Sequence, residues 1–188
     1  MFDLDDFIAR CQEANGETEP RRAIREVVAR AVAAPGEVAE VLDPTEAGLT
    51  LLHHADDLTV LHVVWAPKMN LYPHDHRMWA AIGIYAGQED NAFFRRSAGD
   101  AKDEPGIIES GGKQLRTGDT VVLGDDTIHS VTNPGDKLTG AIHVYGGDFV
   151  NQPRSQWGPG PLEERPWTME EAREQFARAN EAWHDRPS

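Results

Sequence analysis

Hydrophobic and polar positions fall into three textures along the chain. Over residues 3–33 the apolar positions recur at helical spacing, with Phe2, Phe7, Ile8 and Cys11 on one face. A second helical run, Pro20 to Ala33, opens on a proline suited to a first-turn position. Pro35-Gly36 is expected to break it. From about residue 38 the texture becomes short segments rich in Val, Ile, Leu and Thr: LTVLHVVWA, WAAIGIYAG, NAFFRR, TVVLG, IHSVT and LTGAIHVYG. Clusters of Gly, Asp, Asn and Pro divide them, and many short strands at this spacing predict an all-β sandwich or barrel. After Gly158-Pro-Gly-Pro161 a last helix is expected. Thr168 with Glu171 fits a capping box, and Met169, Ala172, Phe176, Ala179 and Trp183 supply an apolar stripe. The helical ends are expected to pack against the outside of the β unit.

Length and composition narrow this picture without changing it. At 188 residues the chain suits one domain. Its expected parts are a helical segment at 1–37, a β-barrel core at 38–157 and a tail with a helix at 158–188. Hydrophobic residues at 39% and charged residues at 27% are ordinary for a globular protein. No apolar run is long enough to span a membrane, so no membrane association is expected. MFDLDDFIAR carries acids where a signal peptide needs bases, which makes a cytoplasmic location the expectation. A net charge of −14 repels phosphate backbones, so nucleic acid is not expected as a partner. Cys11 stands alone, which excludes an intramolecular disulfide and zinc-finger chemistry. Asp125-Asp126 and Glu163-Glu164 read as solvated turns, and Trp65, Trp79 and Tyr72 as core packing, with a pocket lining as the alternative.

The eight histidines carry unequal weight. Adjacent His53 and His54 would point to opposite faces of a strand. His62 in an apolar strand suits a hydrogen-bonded core histidine, and His184 a polar tail. His74-Asp75-His76 differs, because a side-chain period of two puts both imidazoles on one face and Asp75 on the other. Pro73 can start a strand but not sit in its middle, which places the pair at a strand's beginning, near a barrel mouth. Two surface histidines on an edge strand are the plain alternative. His129, on a later β segment between turn signals, completes an arrangement that gives three imidazoles on one face of a divalent metal; a loop histidine is its alternative. Ligand type alone leaves zinc, nickel and manganese open beside iron. In AIHVY, Ala141, His143 and Tyr145 share a face, so His143 and Tyr145 are either a support for the site or a core pair.

Taken in order, PHDHRMW, IGIYAG, LRTGDTVVLGDDTIHSVTNP and AIHVYGGDF resemble a cupin. Within cupins they resemble the bacterial thiol dioxygenases, the 3-mercaptopropionate type more than the animal-type cysteine dioxygenases. The resemblance covers roughly residues 60–157. It implies a mainly β double-stranded β-helix (jelly roll) and a mononuclear non-haem iron(II) on His74, His76 and His129. General cupins place a Glu shortly after the HxH, where this chain has Ala80 or Ala81; thiol dioxygenases also lack it. The cysteine of a Cys–Tyr cross-link is missing, and no arginine lies between Arg30 and Arg77. By the resemblance, Arg154 in NQPRSQW holds the substrate carboxylate. The family's Ser-His-Tyr run reads Ala141, His143, Tyr145 here, so its serine is absent.

The expected function is therefore an iron(II)-dependent dioxygenase, an oxidoreductase turning a small carboxylate-bearing thiol (3-mercaptopropionate or cysteine class) and O2 into a sulfinate. Three neutral histidines leave the metal its full charge, which favours a thiolate from the substrate. Arg154 suits a carboxylate through two parallel hydrogen bonds. Tyr145 would offer its hydroxyl to the bound carboxylate or oxygen, with His143 orienting it. The alternatives are a three-histidine cupin acting with O2 on a diketone-like substrate, a zinc hydroxide hydrolase, or a metal- or ligand-binding cupin without turnover. Cupin sheets often pair, which makes a homodimer an expected assembly.

Overall fold

The structure is a computed structural model that describes residues 1–97, 106–160 and 162–185. Pro161 of the expected turn and residues 186–188 of the expected tail lie outside the described residues.

Three helices come first: α1 (Leu4–Asn15), α2 (Pro20–Val32) and α3 (Pro35–Leu42). Asp3 caps α1, its carboxylate accepting from the Asp6 amide at 2.9 Å. Pro35-Gly36 does not end the helical part as expected; it begins α3. Proline at the first helical position gives up an amide that has no partner there anyway, so it starts a helix as readily as it stops one. The helical part thus runs to Leu42, and Asp43, at φ 38°, turns the chain out of it.

Eleven strands follow among the described residues: β1 (Gly48–His54), β2 (Thr59–Trp65), β3 (Asn70–Asp75), β4 (Ala80–Ala86), β5 (Gln88–Arg96), β6 (Ile107–Arg116), β7 (Thr120–Leu123), β8 (Ile128–Thr132), β9 (Thr139–Tyr145), β10 (Ser155–Trp157) and β11 (Glu164–Pro166). They form one sheet in the order β1-β2-β9-β4-β7 and a second in the order β11-β10-β3-β8-β5-β6. The antiparallel pairs β2·β9, β3·β8, β4·β7 and β5·β6 nest one inside the next and alternate between the sheets. This is a long hairpin, with its tip at β5–β6, coiled into a double-stranded β-helix. The mainly β jelly roll with helices at both ends is the expected fold.

Strands β2 and β9 are buried along their whole length, and β4 nearly so, because both faces are covered. Leu61, Val63, Trp65, Ile82, Ala141 and Tyr145 point into the barrel. Val60, Trp79, Tyr85, Ile142 and Val144 pack outward under Phe7, Cys11, Ile24 and Val28 of the helices. Two-sided burial is why these segments read as continuous apolar runs and not as alternating ones.

The C-terminal helix α4 (Met169–His184) departs from its expected place. It carries Phe176 into the interior cluster, stacked on Trp65 with ring centroids 5.3 Å apart, and so covers the barrel's mouth. Asn180 ties it to β1's approach, bonding the Ala47 carbonyl and amide at 3.0 and 2.9 Å. Thr168 caps the helix as expected, accepting from the Glu171 amide. The reciprocal half of the capping box is replaced, since the Glu171 carboxylate serves Arg165 and Gln156 instead.

Close approach of α2 to β4 depends on Gly83. A Cβ there would lie 2.5 Å from Val28 Cγ1 and 2.9 Å from Val32 Cγ1. Gly83→Ala is expected to destabilise the protein by about 1–3 kcal/mol through overpacking. Gly36→Ala, where a Cβ meets nothing within 4 Å, is the control and should leave a urea unfolding curve almost unmoved.

Candidate metal centre

His74 and His129 face each other across the antiparallel pair β3·β8, and His76 follows just beyond the end of β3. Pro73 does not begin this strand as expected; it lies inside it. The ladder to β8 shifts register between Leu71 and His74, and such an interruption is where a residue without an amide hydrogen is tolerated in a sheet. Asp75 turns away from the two histidines, as the period of two requires. Its carboxylate accepts from the Ser155 amide at 2.7 Å and from Arg77 Nε at 2.6 Å.

All three imidazoles are buried, and their Nε2 atoms converge. His74 Nε2 and His129 Nε2 lie 3.1 and 3.3 Å from His76 Nε2. The outer nitrogens decide what the inner ones can offer. His74 Nδ1 faces the Tyr72 carbonyl at 2.9 Å, which only accepts, so Nδ1 carries the hydrogen. His129 Nδ1 faces Asn91 Oδ1 at 2.7 Å; the Asn91 amide nitrogen is engaged with Glu89, so this oxygen also accepts. Two lone pairs therefore point at His76 Nε2. A proton on His76 would serve one of them well, whereas a divalent cation serves all three. Two donors about 2.1 Å from a shared ion at right angles sit about 3 Å apart, matching these separations. Burial lowers the His74 pKa to about 4 and those of His76 and His129 well below the ordinary value, so the ring nitrogens are neutral donors. These three histidines can hold a metal ion, and among the described residues no other histidine, cysteine or carboxylate joins them.

The histidines open on a small enclosed cavity of about 20 Å³, room for one water. Trp65, Tyr145, Phe149, Trp167 and Ala172 supply part of its wall. Tyr145 lies edge-on to the His76 ring, and its hydroxyl is 3.0 Å from His143 Nδ1. Burial raises the Tyr145 pKa above its ordinary value, keeping the phenol neutral. Arg154 is buried, its guanidinium carbon 3.9 Å from the Phe149 ring centroid and 3.6 Å from that of Trp167, two rings inclined at 70° to each other. Nη1 donates to the Phe149 and Gln152 carbonyls, while the buried Nε and Nη2 have no partner among the described residues. Burial lowers the Arg154 pKa to about 10, which still leaves it charged at neutral pH.

The structure thus brings together His74, His76, His129, His143 and Tyr145 around one cavity, with Arg154 behind two of its walls. It also brings in residues that the pattern of histidines did not single out. Glu89 is fully buried; it accepts from Trp65 Nε1 and Asn91 Nδ2, each at 2.9 Å, and lies 3.8 Å from His143 Nε2. Burial pushes its carboxyl up, but His143, Asn91 and Trp65 outweigh that and hold it below the usual carboxylate range. The signal was present in β5, where Glu89, Asn91 and Phe93 share the inward phase. Trp65 and Trp79 are core residues as expected, though Trp65 also lines the cavity. His62, buried on the outward face, bonds Tyr85 Oη at 2.6 Å, the expected core role. His54 pairs with Asp148 at 2.7 Å, and exposed His184 lies 3.7 Å from Glu46. Glu164 is not a solvated turn: it lies in β11 and binds Arg96 and Ser155. Asp125-Asp126 is the turn expected, where half-exposed Asp125 pairs with Arg21.

No family model matches the chain. Solved structures resemble it at low identity. A Bacillus halodurans protein is 14% identical, with 58% of this chain and 77% of that one covered and a TM-score of 0.47. An RmlC-like cupin family protein with a double-stranded β-helix fold, from Methanocaldococcus jannaschii, is 11% identical over 54% and 81%, with a TM-score of 0.43. An oxalate decarboxylase variant from Bacillus subtilis is 14% identical over 50% of this chain and 22% of its own, with a TM-score of 0.39. The strand order of the two sheets, and not these likenesses, carries the fold.

Buried neutral histidines make stability depend on pH. Above pH 6.5 folded and unfolded chains both hold neutral imidazoles; between 6.5 and about 4 only the unfolded chain takes up the protons that His62 and His74 refuse. Stability is therefore full above that window and falls as pH drops through it. The metal-free protein should be at least about 2 kcal/mol less stable at pH 5 than at pH 7 by urea unfolding. A flat profile would contradict the burial assigned to these groups.

Proposed function

We propose that the chain is a mononuclear non-haem iron(II) dioxygenase that oxidises a small carboxylate-bearing thiol, of the 3-mercaptopropionate or cysteine class, to its sulfinate. The observation that carries this reading is the pairing of three convergent, neutral imidazoles with a buried arginine whose Nε and Nη2 lack partners. The resemblance of the PHDHRMW and AIHVYGGDF segments to thiol dioxygenases supports it.

His74, His76 and His129 would hold the iron. When bound, iron(II) supplies a Lewis-acidic, redox-active centre at which thiol and dioxygen meet. The overall change is RSH + O2 → RSO2H, with both oxygen atoms transferred to sulfur. The histidines bring no charge, so the site is completed best by an anionic sulfur ligand. Nε and Nη2 lie on one edge of the Arg154 guanidinium, the edge that grips a carboxylate by two parallel hydrogen bonds. Phe149 and Trp167, their rings inclined at 70° to each other, pack against that guanidinium from two directions and restrain it. Tyr145, its phenol neutral and its hydroxyl bonded to His143, lies edge-on to His76 in the cavity wall. The cavity is smaller than such a substrate, so binding requires its walls to yield.

Iron-reloaded protein is expected to consume oxygen with 3-mercaptopropionate or cysteine, matched by sulfinate formation. Cysteamine should be a poorer substrate, and acetylacetone should give no uptake. If no thiol consumes oxygen above the metal-free control, thiol oxidation is abandoned; uptake with acetylacetone alone would move the reading to diketone cleavage.

Arg154→Lys, which keeps the charge but loses the fork, should raise KM for a carboxylated thiol at least about tenfold and leave KM for cysteamine nearly unchanged. Equal effects on both substrates would remove the proposed role of Arg154.

A further inference from the structure

Two hydrogen-bond donors reach one fully buried carboxylate, and a histidine nitrogen faces it from farther off. Asn91 Nδ2 and Trp65 Nε1 each donate to Glu89 at 2.9 Å, and His143 Nε2 stands 3.8 Å away with no hydrogen-bond partner among the described residues. Each neighbour connects to the candidate metal centre or its cavity. Asn91 Oδ1 meets His129 Nδ1 at 2.7 Å; His143 Nδ1 meets the Tyr145 hydroxyl at 3.0 Å; Trp65 lines the cavity. The serine that the resemblance would have placed beside His143 is Ala141, so Glu89 is the polar group that this histidine's second nitrogen faces.

We propose that Glu89 is the positioning residue that fixes where the hydrogens sit at both ends of the site. Because Glu89 can only accept, Asn91 must turn its amide nitrogen toward it and its oxygen toward His129. That oxygen takes the Nδ1 hydrogen of His129 and leaves the Nε2 lone pair directed at the metal position. The same carboxylate, facing His143 Nε2, favours a hydrogen on that nitrogen, which leaves Nδ1 as the atom that anchors Tyr145. One buried charge thereby couples a metal ligand to the tyrosine across the cavity. The inference rests on reading His74, His76 and His129 as metal ligands.

Glu89→Gln preserves shape and tests this directly. A carboxamide has one acceptor oxygen and one NH2, so with these donors around it at least one donor must face another. The probes are zinc(II) affinity and two-bond ¹H–¹⁵N histidine spectra of the full chain, zinc-loaded and metal-free. Wild type should show His129 with hydrogen on Nδ1 and His143 with hydrogen on Nε2. In Glu89→Gln the tautomer of His143 or of His129 should change or become mixed, and zinc affinity should fall about tenfold or more. Unchanged tautomers with zinc affinity within about twofold of wild type would overturn the proposal, even if the melting temperature dropped, because that pattern is a packing role only. Should Glu89→Gln fail to fold, Asn91→Ala reads the same link: zinc affinity should fall about tenfold with His143 unmoved, and unchanged affinity would overturn it. None of these readouts uses a thiol or oxygen, so absent thiol oxidation would leave the proposal standing. A wild-type chain that binds no zinc would instead sink the ligand reading and this proposal with it.

Discussion

Three buried imidazole nitrogens that converge on one point, two of them with their lone pairs turned inward, are a costly arrangement for a protein without a cation to receive them. Burial denies His74, His76 and His129 the alternative of protonating, since their pKa values are held far below the ordinary range. The surrounding structure pays out the remaining constraints one by one: the Tyr72 carbonyl and the Asn91 oxygen pin the outer nitrogens, and the apolar wall of Trp65, Phe149 and Trp167 keeps water scarce. The jelly roll supplies the rigidity this needs. His74 and His129 sit opposite one another on paired strands, so their separation is set by the ladder itself.

The site's chemistry follows from which charges are present and which are missing. No carboxylate joins the three histidines among the described residues, so a bound divalent ion would keep its charge and call for an anionic ligand from outside. Arg154 adds a positive group behind the cavity wall; burial is the main reason the His74 and His76 pKa values are low, and Arg154 adds to it. The proposed thiol carboxylate, with two anionic ends, rests on both features. The one nearby carboxylate, Glu89, lies behind the histidines, where it orders hydrogen bonds around the site without supplying a ligand.

Helix α4 gives the barrel a closed end. Phe176 stacked on Trp65 and Ala172 in the cavity wall make the C-terminal helix part of the site, where an amphipathic stripe alone suggested packing on the outside. The stripe says that one face is buried; it does not say against which surface, because the same apolar face fits an outer sheet face or an open barrel mouth.

What the sequence determined by itself was local or periodic. The period of two put His74 and His76 on one face and Ala141, His143 and Tyr145 on another; Thr168 marked the start of α4; turn signals divided the strands of a mainly β chain. Pro35-Gly36 was ambiguous because proline both ends and begins helices, and Pro73 was misplaced because a register shift is a property of two strands, not of one. Tertiary structure alone decided the rest. It brought Glu89 and Asn91 of β5 behind His129 of β8 and beside His143 of β9, and it folded Arg154 between Phe149 and Trp167. The contacts of Glu89 and Asn91 join residues far apart in the chain, and which strand lies beside which is settled by the coiling of the whole hairpin, a quantity no single segment carries.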